Sequence, residues 1–243
     1  MRHIVALSGG KDSTALALAL AEREPRDYEF ICTPTGDELP EMIRHWEKIG
    51  SLLGKPLVHV RAPVDLHELI DQYKALPNFR MRWCTRVLKI IPYSHYLHEA
   101  TPCVSYVGLR ADEESRKGGL FDDVPGVETR YPLREWGWRE IDVIEYLHRR
   151  DIEIPSRTDC ARCFHQRIGE WWDLWRDYPE IYQHAVDQEE RHGHTFRTDE
   201  RDTWPTALAD LRVKFEVGKI PLGASVQLEL FDSGFSKCRV CSL

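Results

Sequence analysis

The sequence predicts an α/β fold, a parallel twisted sheet with helices on both faces, followed by a mainly helical C-terminal part. Three observations carry this. Short β-branched runs alternate with amphipathic helical patterns through the first half. The first such run enters a glycine turn and then a helix directly. After Tyr131-Pro132-Leu133 the apolar spacing becomes helical. The expected division is an α/β domain over residues 1–150 and a helical, cysteine-bearing region with its tail over residues 151–243.

Taken in order, His3–Ser8, Tyr28–Pro34, Leu57–Arg61 and Cys103–Leu109 read as strands. Thr14–Glu24 repeats Leu16, Leu18 and Leu20 among alanines. Pro40–Leu53 carries Met42, Ile43, Trp46, Ile49, Leu52 and Leu53 at near-helical spacing, so both segments read as sheet-packing helices. Arg139–Arg149 and the Trp-rich Ile168–Arg176 continue the helical pattern. Trp171, Trp172 and Trp175 at that spacing read as core rather than as a base-stacking surface.

With 243 residues, 42% hydrophobic and 30% charged, the chain has the composition of a globular protein with a sizeable core. Its longest apolar-rich run near the start, Ala15–Ala21, falls far short of the roughly 20 residues of a bilayer crossing. No secretion signal is read, so the expected location is cytoplasmic, without membrane association. A formal net charge of −7 argues against a coat-type nucleic-acid binder but leaves room for a local basic patch. Seven cysteines, an odd number, point to thiolate chemistry or metal ligation rather than to a disulfide framework.

The strongest motif is at the front, where Ile4-Val5-Ala6-Leu7 runs into Ser8-Gly9-Gly10-Lys11-Asp12-Ser13-Thr14. A glycine turn that delivers the chain to a helix N-terminus aims unpaired amides and the positive end of the helix dipole at one place, a site for anionic oxygens. Ser8, Ser13 and Thr14 add hydroxyls, Lys11 adds charge, and Asp12 is a candidate magnesium ligand. The plainer alternative is a strand–turn–helix with an Asp near its cap. The Walker A pattern is excluded, because it needs four residues between its glycines.

Ser-Gly-Gly-Lys-Asp-Ser resembles the PP-loop of the ATP pyrophosphatases, which cleave ATP between its α and β phosphates and adenylate a substrate. Pro34-Thr35-Gly36-Asp37-Glu38-Leu39-Pro40-Glu41 is similar to the acidic turn after the second strand in the branch holding the phosphoadenylyl-sulfate (PAPS) reductases and the ATP pyrophosphatases of DNA phosphorothioation. Gly108-Leu109-Arg110-Ala111-Asp112-Glu113-Glu114-Ser115-Arg116 and Arg130-Tyr131-Pro132-Leu133 resemble two further segments of that branch. The resemblance covers roughly residues 1–190 and implies a PP-loop, Rossmann-like fold with ligands at the carboxyl ends of the strands. It implies that ATP with Mg²⁺ docks on Ser8, Gly9, Gly10, Lys11, Asp12, Ser13 and Thr14, with Asp37, Glu38, Gly108, Arg110 and Arg116 around it. Lys11, Asp12 and Arg116 are then the catalytic candidates.

Cys84 lies among Arg80, Arg82, Arg86 and Lys89, surroundings that favour a thiolate. Cys160-Ala161-Arg162-Cys163 and Cys238-Arg239-Val240-Cys241 are two CxxC pairs, a pattern open to tetrahedral zinc. Cys32 and Cys103 sit in apolar strand patterns and read as core. The resemblance implies a 4Fe–4S cluster instead: iron–sulfur members of the branch carry Cys-Cys and then CxxC, matched here by Cys84, Cys160 and Cys163, with Trp83 in place of the first cysteine. The fourth ligand is then Cys238, Cys241, water or substrate; zinc and free thiols are the alternatives. The tail Lys237-Cys238-Arg239-Val240-Cys241-Ser242-Leu243 resembles the reductases' mobile C-terminus, so Cys241 is also a catalytic candidate, although Ser242 replaces the usual glycine and the final histidine is missing.

The resemblance implies adenylation of an acceptor for sulfur incorporation, foremost in DNA phosphorothioation. Its implied partners are ATP, a cysteine desulfurase or other sulfur donor, other modification-complex subunits, and DNA or RNA; a second copy of the chain is a further candidate partner that the resemblance does not decide. The alternatives are a PAPS or adenylyl-sulfate reductase producing sulfite, against which the intact Gly9, Gly10, Lys11 and Asp12 speak, and a nucleotide-binding subunit without turnover.

Overall fold

The computed structural model describes residues 1–116, 118–119, 124–199 and 201–225. In chain order the elements are β1 (Arg2–Ala6), α1 (Lys11–Arg23), β2 (Tyr28–Cys32), α2 (Pro40–Leu52), β3 (Val58–His59), α3 (Leu66–Tyr73) and the short α4 (Trp83–Thr85). A π-helical turn (Arg86–Ile90) leads into α5 (Ile91–Glu99). Then come β4 (Cys103–Tyr106), β5 (Val127–Arg130), α6 (Pro132–Glu135), α7 (Glu140–His148), α8 (Ile168–Asp177), α9 (Pro179–His192) and α10 (Leu208–Glu216). Chain contacts divide the protein into two units. Among the described residues, one is Met1–Pro63 with Thr85–Asp159; the other joins Val64–Cys84 to the residues from Cys160 to Ser225.

The first unit is a sheet ordered β3-β2-β1-β4-β5, with every pairing parallel. Central β1 sets His3 opposite both Tyr28 and Val104. Because side chains alternate across a strand, Val5, Phe30 and Val104 meet one helical layer containing Leu16, Leu20, Val143 and Leu147. Their neighbours Ile4, Ile31 and Cys103 meet the opposite layer, with Tyr93 and Leu97 of α5. The sheet is thus covered on both faces. Each fully buried leucine of α1 contributes roughly 2 kcal/mol over its exposed state, which fastens that helix behind the loop preceding it. Helix α1 begins at Lys11, ahead of the expected Thr14, so the motif's lysine, aspartate and serine form its first turn. Pro92, which lacks an amide, sits at the start of α5. The ladder before it widens, and Ile91 N–H bonds to Arg86 O.

The second unit is helical among its described residues. Asp65 and Glu68 form a reciprocal cap on α3. Trp171 is fully buried and packs its ring near Tyr182 and Phe196, while Trp172 is also buried, so these rings are core. Glu189 accepts from the amides of Phe196 (2.8 Å) and Leu208 (2.7 Å), tying the connection before α10 to α9. No helix among the described residues is long and apolar enough to cross a membrane.

Candidate functional site

The carboxyl ends of β1, β2 and β4 lead into the segments that carry the motifs. Gly10 is the N-cap of α1, extended in conformation, and no side chain caps the helix. The first intrahelical bond runs from Thr14 N–H to Gly10 O (2.9 Å). The amides ahead of it point outwards at the positive end of the helix dipole. The turn is braced from within: Ser13 Oγ donates to Gly10 O (3.1 Å), accepts from Gly9 N–H (3.1 Å) and lies 3.0 Å from Ser8 Oγ. Trp46 of α2 donates its indole N–H to Ser8 O (3.1 Å). Gly9 has φ +90°, and a Cβ there would stand 2.0 Å from Met42 Cε and 2.6 Å from Trp46 Nε1. Only glycine fits. At Gly108 a Cβ would lie 3.3 Å from the Asp12 carbonyl, so this glycine lets the exit of β4 lie close against the first turn of α1.

Charged groups are interleaved around this turn. Lys11, 2% exposed, places Nζ 3.1 Å from Asp12 and 3.6 Å from Glu140. Arg110 reaches Asp12 with Nη1 (2.7 Å) and Asp112 with Nε (2.9 Å). Arg116 donates to Glu113 Oε1 (2.8 Å), whose other oxygen accepts from the Arg110 amide (3.0 Å). Arg134 of α6 donates to the carbonyls of Arg110 (3.3 Å), Glu113 (2.8 Å) and Arg116, fixing the segment that carries both arginines. Burial pushes the Asp12 pKa above its ordinary value, partly opposed by Lys11 and Arg110. Glu113 is also pushed up by burial, but the Arg110 amide and Arg116 outweigh this and hold it below its ordinary value. Three basic side chains, Lys11, Arg110 and Arg116, thus meet Asp12, Asp112, Glu113 and Glu140, and Arg134 binds the backbone beside them, leaving the cluster close to charge balance.

The second-strand turn is arranged differently. Glu38 accepts from Thr35 N–H (2.6 Å), Thr35 Oγ1 (2.7 Å) and Gly36 N–H (3.0 Å), so its carboxylate closes the turn. Asp37 is buried. Thr14 Oγ1 lies 3.4 Å from Nε2 of buried His45, whose pKa burial lowers to about 4, the Gly9 backbone opposing only in part. His45, Trp46, Arg134 and Glu140 were not singled out in the sequence. Trp46 had a visible signal, a large aromatic at helical spacing, but nothing marked its bond to the glycine turn.

Cys84, Cys160 and Cys163 all fall in the second unit. Cys84 and Cys160 are half-buried and Cys163 is 7% exposed. Cys163 N–H donates to Cys160 O (3.1 Å), and Gln166 Nε2 donates to Ala161 O (2.5 Å), closing the CxxC turn. Arg162, buried, reaches His67 of α3, His184 of α9 and Gln188 (3.3 Å). Burial, then Arg162 and His67, lower the pKa of His184. Cys32 and Cys103 are buried in the sheet, and burial pushes the Cys32 thiol up to about 12. Among the described residues no three His, Cys, Asp or Glu side chains converge as a group that could hold a metal ion. Cys238 and Cys241 lie outside the described residues.

Residues 2–169 match the model of the phosphoadenosine phosphosulfate reductase domain family. Over 192 residues the chain is 23% identical to the uncharacterized protein MJ0066 of Methanocaldococcus jannaschii, an alignment covering 74% of this chain and 40% of that protein. The chain therefore spans less than half the length of that relative. Among solved structures, the phosphoadenylyl-sulfate reductase of Candida auris in its phosphate complex is 13% identical with a TM-score of 0.47, covering 63% of this chain and 75% of that one. The U34-tRNA thiolase NcsA of Methanococcus maripaludis with its 4Fe–4S cluster is 13% identical with a TM-score of 0.46, covering 98% of this chain and 83% of that one.

Proposed function

The chain belongs to the phosphoadenosine phosphosulfate reductase domain family, and on that premise we propose that it is an ATP pyrophosphatase that adenylates an acceptor to prepare it for sulfur incorporation. One observation carries the reading: the uncapped first turn of α1 behind the Ser8–Gly10 turn, with buried Lys11 beside it. Its outward amides suit the oxygens of a polyphosphate. Because the surrounding cluster is close to charge balance, ATP enters this proposal as its magnesium complex, the metal offsetting charge that the cluster alone does not.

An acceptor oxygen attacks the α-phosphorus, the bond to the bridging oxygen breaks, and pyrophosphate leaves with that electron pair. Lys11, Arg110 and Arg116 balance the charge developing on the leaving group, so catalysis is mainly electrostatic positioning. Asp12, in contact with Lys11 and Arg110, orients both cations. A sulfur nucleophile then displaces AMP from the activated acceptor. DNA is the acceptor in this proposal, following the phosphorothioation branch that the motifs resemble. Cys84, Cys160 and Cys163, with Cys238 or Cys241, are proposed ligands of a 4Fe–4S cluster. The described residues do not assemble that set by themselves, so no step is assigned to it. Iron and acid-labile sulfide in anaerobically purified protein support the cluster, and zinc alone overturns it.

The functional test is pyrophosphate release from ATP and Mg²⁺ with an oligonucleotide acceptor. Release is expected from the unaltered chain and lost in Lys11→Ala and Asp12→Ala. Undiminished release in both variants, or sulfite release from PAPS with thioredoxin, contradicts the reading.

A further inference from the structure

Asn78 closes a tight turn in the second unit. Its side-chain oxygen accepts from the amides of Arg80 and Met81 (both 2.9 Å), and its own amide donates to Met81 O (3.2 Å). The turn holds Phe79 and Arg80 at its tip, and Phe79 and Met81 remain 46% and 49% exposed. The ring of Phe79 has Phe164 (5.2 Å) and His165 (4.8 Å) at right angles to it and Arg201 above it (5.5 Å). Phe164 follows Cys163 directly. At the other end of the segment Tyr73, also half exposed, meets Trp83, the neighbour of Cys84, edge to face (5.0 Å). The segment's charges are mostly positive. Lys74 and Arg80 are exposed and meet no carboxylate among the described residues, whereas Asp71 is matched by Arg191 (3.1 Å) and His192 (3.3 Å).

Exposed rings standing beside unmatched cations suit one kind of partner, a chain that alternates flat bases with phosphates. We propose that Tyr73, Lys74, Phe79 and Arg80 form a binding surface for an unpaired nucleic-acid strand, beside the residues that carry Cys84 and Cys163. Bases stack on Phe79 and Tyr73, and phosphates meet Lys74 and Arg80. The inference deepens the reading above, since it rests on a nucleic acid being the acceptor, and it names the surface that recognises it.

The test is fluorescence anisotropy of the full chain with labelled short single strands of DNA and of RNA, over a salt series. Phe79→Ala should weaken binding about tenfold, the loss of one stacked base, while Phe79→Tyr keeps it. Arg80→Gln should lower the slope of log affinity against log salt by about one. Unchanged affinity and slope in these variants overturn the surface, as does binding of an acidic peptide but of neither strand. ATP binding, measured separately on the same variants, keeps the two readings apart. Strand binding that ignores Phe79 while ATP still binds removes the surface alone; strand binding that depends on Phe79 while ATP does not bind removes the pyrophosphatase reading alone.

Discussion

Replacing Gly9 by alanine tests the packing of the glycine turn. The position has φ +90°, where a β-carbon costs about 1–2 kcal/mol in backbone strain. The added methyl would stand 2.0 Å from Met42 Cε, the free end of a flexible side chain that can swing aside. It would also stand 2.6 Å from Nε1 of Trp46, a rigid ring held by its bond to Ser8 O and packed with Cys32 and Met42. Moving that ring forfeits a hydrogen bond, about 1 kcal/mol, and overpacks the cluster by about 1–3 kcal/mol. A total of about 4 kcal/mol lowers Tm by roughly 8–16 °C in a chain of this size. Gly54→Ala is the control, because its φ is +66° and no atom lies within 4 Å of an added Cβ. It should lose only the strain contribution. Thermal denaturation followed by circular dichroism compares the two variants, and equal losses would refute the contact argument.

The remaining predictions concern groups around the same turn and the CxxC loop. His45, lowered to about 4 by burial, stays neutral while the unfolded chain protonates near 6.5, so stability present above pH 6.5 is lost as pH falls towards 4, by up to about 3 kcal/mol. His45→Asn should flatten that limb in urea titrations at several pH values; an identical limb contradicts the assignment. Arg134→Gln releases the carbonyls of Arg110, Glu113 and Arg116 and should weaken ATP binding about tenfold by calorimetry, roughly 1.4 kcal/mol; unchanged affinity contradicts the bracing role. Arg162→Met removes the buried guanidinium between His67 and His184 and should cost about 1–3 kcal/mol while speeding thiol labelling at Cys160 and Cys163. Arg162→Lys should not restore it, because the planar fork is lost; unaltered labelling in both variants contradicts the anchoring.

Local signals made the sheet and the glycine turn legible. Short apolar strand runs, the double glycine and the leucines of α1 each act within a few residues, so β1, β2, β4 and α1 are readable. Strand β5 was not, because Val127–Arg130 is short and polar and becomes a strand only through pairing with β4. Helix α1 starts earlier than its apolar pattern does, since Lys11, Asp12 and Ser13 add no hydrophobic period. The membership of Val64–Cys84 in the second unit depends on contacts far along the chain, which no local pattern announces. Glu38 belongs to the acidic turn that the resemblance sets around ATP, and the bonds by which its carboxylate also closes that turn carry no signal in the sequence. The bracing by Arg134 and Glu140 was invisible for the same reason, because the partners are distant in sequence and close only in the fold.

A structure of the chain with Mg²⁺ and α,β-methylene-ATP, which cannot be split at its inner bond, bears most directly on the central claim. The account predicts phosphate oxygens within hydrogen-bond distance of the amides that begin α1 and of Lys11. An analogue bound with its phosphates away from that turn, or excluded from it at saturating concentration, would contradict the account.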